Sequence, residues 1–368
     1  MDLFRSVEAV ATASGDGVVD WAAVSEAAKA GTDPGSLDLS PADREGYAAD
    51  VRDARDRIRE VGGVEFDVPE KIALQNRHHW IDANVDTFQR LIEPMTEELD
   101  QPLFPGASRV ANTGSMTFSL AFLARHVLGQ YDPLLLAEAD DGRTSPPSAS
   151  ADDGRTSPPS ASADDGRPSP PSASADDGRP SPPSASADDG PDHELYFVHP
   201  NIERTARELN VDFPRFRRWI AFHEVTHAAE FGAADWLPGY LESRMRDTIT
   251  ELSAGGLNRE AFSELDVAMT AVEGYAELLM DRAFDEEYDD LRRKIDARRG
   301  GGGPVDQLIR RLLGLGLKRR QYERGADFFN VVADAEGLET ATKVWDTPEN
   351  LPTDAELDDP GRWLARIE

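Results

Sequence analysis

The segment of this chain whose residue types and spacing can do chemistry is His223-Glu224-Val225-Thr226-His227. Two histidines four positions apart project from one face of a helix, so both imidazoles can reach a single cation. Glu224 lies beside that cation, placed to take a proton from a water molecule. A catalytic tetrahedral site needs a third protein ligand and an open position. No further histidine follows closely, and Asp235 precedes Trp-Leu-Pro, which reads as a turn. The next long helical pattern, residues 265–281, carries Glu273 at the border of an apolar face formed by Leu265, Ala268, Met269, Val272, Ala276, Leu279 and Met280. A carboxylate there either reaches solvent or meets a positive charge, because burying it alone is expensive. His223, His227 and Glu273 are therefore the expected metal ligands, with Glu224 as the expected catalytic base. Zn²⁺ is the first choice for this nitrogen and oxygen donor set. The alternative is a packed helix with two internally satisfied histidines and ordinary surface glutamates.

Other residues are candidates for supporting roles. Glu277, one turn beyond Glu273, is placed to accept the outer N–H of a ligating histidine. Gly274 costs about 1 kcal/mol relative to Ala in mid-helix, a cost that a close approach of another helix would explain. Tyr240 and Tyr275 are candidate donors to a developing oxyanion. His199, at the end of an expected strand before Pro200, is a further candidate for the cleft. His78, His79 and His126 read as packing or surface residues. The absence of cysteine removes disulfides, thiolate nucleophiles and Cys-ligated zinc.

These residues need a scaffold, and the hydrophobic periodicity predicts a mainly α (α+β) one. Helices are expected over 19–30, 41–61, 75–99, 116–128, 213–231, 260–284, 306–313 and 319–336. For the helix that carries the two histidines, Asp212 before Pro214 marks the start and Gly232 the stop. Short apolar runs at 131–136 and 195–199 read as the strands of a small hairpin. The second is expected to form the edge to which an extended peptide adds. Between them a twelve-residue unit, ADDGRTSPPSAS, recurs with small changes over 139–190. It has no large apolar residue and is expected to be a disordered loop. Residues 1–138 and 191–368 then form one domain. The glycine run at 300–303, followed by Pro304, reads as a helix breaker and lacks the Lys-Ser/Thr pair of a phosphate loop.

The His-Glu-Val-Thr-His helix and residues 272–281 resemble a zincin-like metallopeptidase family. So do Arg77-His78-His79-Trp80-Ile81-Asp82-Ala83-Asn84, the block at 127–133, and the C-terminal stretches 317–325 and 345–353. The resemblance implies a mainly helical zincin-like fold and a bound zinc held by His223, His227 and Glu273, with Glu224 as base. Family members carry hydrolase labels or labels tied to deazaflavin-coenzyme biosynthesis. The chain departs from the family by its repeat insertion. The expected function is zinc-dependent hydrolysis, a metallopeptidase acting on a peptide or small amide. The rivals are a zinc-stabilised binding or scaffold protein without turnover, and a hydrolase of a small coenzyme precursor.

Composition narrows the partners. The 368 residues hold 39 Lys+Arg against 70 Asp+Glu, a net charge of −31, which excludes a general basic surface for nucleic acid. No run approaches the roughly 18 uninterrupted apolar residues of a membrane span. Residues 1–15 lack the basic head and apolar core of a secretory signal, so a cytoplasmic location is expected. Only five of the cations are Lys and 34 are Arg, and the repeat contributes just −6 to the charge. Acidity of the folded body with so little lysine suits a halophilic protein, since concentrated salt screens its self-repulsion; an Arg-favouring GC-rich genome is the alternative. The halophilic reading predicts loss of helicity in dilute buffer. Circular dichroism that does not change between molar and millimolar KCl would contradict it.

Overall fold

The computed structural model describes residues 2–63, 66, 68, 72–97, 105–131, 195–253, 259–284, 288–300 and 318–367. The repeat at 139–190, the expected helix at 306–313 and the breaker at 301–304 lie outside them. Helices α1 (Leu3–Ala11), α2 (Trp21–Ala30) and α3 (Pro41–Gly62) precede strand β1 (Ile72–Gln75). Next come α4 (Arg77–Glu97), α5 (Pro105–His126), β2 (Gly129–Tyr131) and β3 (Leu195–Val198). Then follow α6 (His199–Leu209), α7 (Phe213–Ala233), α8 (Leu237–Ser253), α9 (Arg259–Ala283) and α10 (Asp289–Gly300). The last part holds α11 (Lys318–Glu336), α12 (Leu338–Thr342), α13 (Asp354–Asp358) and α14 (Pro360–Ile367). The chain is mainly helical with one three-stranded sheet.

Helix α7 is the structural axis. Asp212 caps it, its carboxylate accepting from the Arg215 N–H at 3.2 Å, and Pro214 occupies the first turn, where no amide donor is needed. Gly232 does not end the helix, which continues to Ala233. A β-carbon on Gly232 would stand 3.0 Å from the Phe66 Cβ, so this glycine admits a close neighbour. The first turns of α7 are fastened to α3 by Arg217, whose Nε donates to Asp50 at 2.6 Å with both residues buried. The guanidinium also lies over the rings of Tyr47 and Phe213, contacts that favour a desolvated cation.

The sheet order is β1-β3-β2, with β1 parallel and β2 antiparallel to β3. All four residues of β3 are buried. This corrects the expectation that β3 forms an exposed edge: it is paired on both sides, and β2 is the outer strand on the α7 side. The β1 pairing was not expected, because Gln75 had been assigned to the following helix. Of the run at 131–136, Tyr131 is in β2 and 132–136 lie outside the described residues. His199 also departs from expectation. It opens α6, with Pro200 in the first turn, and its Nδ1 lies 3.1 Å from the Tyr47 hydroxyl. Burial lowers its pKa.

Helix α9 reaches α7 because α11 lets it lie deep. A β-carbon on Gly274 would stand 2.5 Å from the Gly325 Cα, and one on Gly325 would stand 2.9 Å from the Gly274 Cα. Two glycines thus bring the backbones into contact, the close approach that offsets the mid-helix cost of Gly274. The rings of Tyr275, Phe329 and Trp345 close over this crossing. Because the obstacle is backbone, which cannot rotate away, Gly274→Ala should destabilise the fold by about 1–3 kcal/mol. Chemical denaturation checks this, and an unchanged midpoint would contradict the tight crossing.

Candidate metal centre

The structure brings His223, His227 and Glu273 together: one ligand atom from each lies within 4.8 Å of the others. The first two sit one turn apart on α7, their ring centroids 4.7 Å apart and their planes at 69°. Glu273 comes from α9 and is 93% shielded from solvent. His227 Nδ1 lies 2.9 Å from the fully buried Glu230 Oε2, which leaves Nε2 to face the cluster. His223 is stacked on Trp219, centroids 5.6 Å apart and planes 10° from parallel, so its plane is set by packing.

Electrostatics favour a cation among these groups. Burial alone would lower the His227 pKa, but the hydrogen bond and charge of Glu230, with the charges of Glu273 and Glu224, outweigh it and raise it. Burial raises the pKa of Glu230, and nearby Glu273 adds to the effect. Three carboxylates converging on one imidazole recruit a proton when no other positive charge is present. The donor chemistry therefore fits a divalent ion: two imidazoles, one carboxylate and a surplus of negative charge.

Glu224 is buried and stands against β2. A β-carbon on Gly129 would come within 2.5 Å of Glu224 Cγ and 2.6 Å of Oε1, so this glycine leaves the Glu224 side chain room to lie against the strand. The strand's alternation explains its seating. Gly129 and Tyr131 face α7, where Tyr131 meets Phe231 at 5.8 Å, while the Gln130 side chain turns to α4. There its Oε1 accepts from Trp80 Nε1 at 2.8 Å and its Nε2 donates to Asn84 at 3.1 Å. The turn before β2 is held by Asn201, whose Nδ2 donates to the Ala124 and Val127 carbonyls at 2.8 and 2.7 Å. Arg77 Nε donates in turn to Asn201 Oδ1 at 2.7 Å.

Comparison with known proteins gives the chain a family and a structural neighbour. The zincin-like metallopeptidase family matches residues 19–256 and 249–364. The chain belongs to this family. A crystal structure from Chloroflexus aurantiacus, described as a hydrolase candidate with a novel fold, is similar over 100% of this zincin-like chain and 98% of its own. The two share 26% identity and superpose with a TM-score of 0.64. No curated protein matches. The family implies a metal, and the neighbour supports hydrolysis in general; neither carries the deazaflavin association. Among the described residues no helix of this zincin-like protein is long and apolar enough to cross a membrane.

The remaining candidates fall elsewhere in the zincin-like fold. Glu277 does not support a histidine; it pairs with Arg292 at 2.5 Å. Tyr240 packs on Trp236 and under Arg244. Tyr275 is buried against Phe329 and Trp345, behind the cluster. His78 Nε2 lies 2.8 Å from the Thr32 carbonyl oxygen, and His126 Nδ1 2.7 Å from that of Phe122. His79 and Asp235 are exposed. Two contributors were missed. Glu230 was visible as a carboxylate three residues after His227, the spacing of helical neighbours. Gly129 had no local signal, because its contact with Glu224 spans 95 positions.

Glu230→Gln should keep the fold and weaken divalent-metal binding by roughly 10–100-fold, measured by competition with a chromophoric chelator. Metal uptake must expel the proton that His227 holds more tightly than an ordinary imidazole, so affinity should rise with pH through the neutral range. Calorimetry in buffers of different ionisation enthalpy should count one proton released per ion. No release, or a pH-independent affinity, would contradict the electrostatic account.

Proposed function

We propose that this protein is a zinc-dependent peptidase in which His223, His227 and Glu273 hold the ion and Glu224 is the general base. The observation that carries the proposal is the placement of Glu224 between the three-ligand cluster and the outer strand β2. When bound, zinc supplies Lewis-acid polarisation of a carbonyl and acidifies a water. Glu224 accepts the proton of the attacking water and delivers it to the leaving nitrogen. His227 is held in one orientation by Glu230 throughout, and Trp219 fixes the plane of His223.

Strand β2 supports a peptide substrate. Leu128 and Val198 are directly opposed and bonded, the Val198 N–H donating to the Leu128 carbonyl at 2.9 Å. In an antiparallel ladder the bonded pairs alternate, so the backbone groups of Gly129 and Tyr131 point away from β3. An extended peptide that pairs with Gly129 lies along the strand beside Glu224. Small amides lack the backbone to use this edge, which favours peptides over a coenzyme precursor.

The test separates catalysis from metal binding. Glu224→Gln should retain one zinc per chain and the wild-type helicity while hydrolysis of a peptide library falls by roughly 10²–10⁴-fold. Turnover that survives in this variant, or a metal-loaded wild type that cleaves no peptide in molar salt, would contradict the peptidase reading.

A further inference from the structure

A cavity of about 320 Å³ opens beside His223 and Glu224, both of which line it. Leu209 of α6, Phe216 and Ile220 of α7, Ile295 of α10 and Leu128 ahead of β2 form its apolar walls, with Thr205 and His126 as the polar residues among them. Among the described residues that line it there is no lysine or arginine, and Glu224 is the one acidic side chain. That is unusual for a chain in which 30% of residues are charged. The aromatic wall leads from the candidate metal ligand itself. Trp219 lies parallel to His223 on one side and stacks within 6° of Phe216 on the other, centroids 6.3 Å apart. Positions 216, 219, 220 and 223 share one helical face, so the ring stack runs from the reacting centre into the cavity.

The size matches the lower end of small-ligand pockets, about 300–1,000 Å³, which is room for one large side chain rather than a whole ligand. Apolar walls exclude charged and small polar side chains, whose water would be lost without replacement. A bulky apolar group gains by leaving water. The position decides which group enters. The cavity meets the cluster at Glu224, so its occupant belongs to a residue next to the bond under attack. Resting on the peptidase reading above, we infer that this cavity is the specificity pocket of the protein and that it selects a large apolar side chain, phenylalanine or leucine, beside the scissile bond.

The test uses binding as well as turnover. The probes are N-acetyl-phenylalanine hydroxamate and N-acetyl-alanine hydroxamate, titrated calorimetrically into the zinc-loaded full chain in molar salt. The phenylalanine compound should bind at least about tenfold more tightly, the range in which apolar pockets discriminate by bulk. Leu209→Trp, which fills the cavity from α6, should lower the phenylalanine compound to the level of the alanine one, with zinc content and helicity intact. Ile295→Trp, filling from α10, should do the same and guards against misfolding of the first variant. Equal affinities in the wild type, or discrimination that survives in both folded variants, would overturn the assignment. Peptides carrying Phe or Ala on either side of a cleavable bond separate the two readings. Hydroxamate discrimination without any cleavage would remove the peptidase reading and leave the cavity as a binding pocket for a large apolar group, with no scissile bond beside it. Cleavage without discrimination would do the reverse.

Discussion

Three carboxylates, those of Glu224, Glu230 and Glu273, act on His227 in a niche shielded from solvent, and each favours positive charge on that imidazole. Like charges held together away from water repel strongly unless a cation is shared among them. Much of the surrounding structure can be understood as keeping that arrangement in place. Helix α7 supplies both histidines and two of the glutamates, while α9 brings the third glutamate from 46 residues beyond His227. The Gly274–Gly325 crossing seats α9 deeply, one residue from Glu273. The positive charge that the niche demands is a proton on His227 or a divalent ion, and the two compete.

The same economy governs the approach to the site. Backbone carbonyls at the end of α5 would be left without donors, and Asn201 answers two of them with one carboxamide. That bond locates the turn before β2. Trp80 and Asn84 then hold Gln130 from the opposite side, and the absence of a side chain at Gly129 lets Glu224 lie against the strand. Residues on α4, α5 and α6 that touch no cluster atom thus set the distance between the Glu224 carboxylate and the strand edge. The blocks at 77–84 and 127–133, which drew attention in the sequence without an evident purpose, are joined through this network.

How much of this was legible in the sequence depended on how far each contact reaches along the chain. The two imidazoles, the cap at Asp212 and the length of α7 followed from local periodicity, apart from its misjudged stop at Gly232. Glu273 followed from an acidic residue at the margin of an apolar face, and Gly274 signalled its close neighbour by its helical cost. The strands were read less well, because three- and four-residue strands carry almost no periodic signal. Gln75, the last residue of β1, reads as the start of α4, Ile72–Leu74 carry no strand signal, and β3 reads as an edge although its unbroken apolar run suits a strand covered on both sides. His199 was assigned to that strand, whereas Pro200 is a helix-opening residue in this position. Glu277 reads as a histidine support because it lies one turn from Glu273, but its carboxylate pairs with Arg292; Glu230, at helical-neighbour spacing from His227, went unread although it is the carboxylate that meets the ring.

The central claim, that two imidazoles of α7 and one carboxylate of α9 converge on a single cation, is tested most directly by X-ray absorption at the zinc edge on the zinc-loaded full chain. The account predicts one zinc per chain with two imidazole nitrogens at about 2.0–2.1 Å and oxygen donors completing a four-coordinate shell. Glu273→Ala should remove one oxygen ligand and leave both nitrogens. A shell with fewer than two imidazoles, or one unaltered by Glu273→Ala, would contradict it.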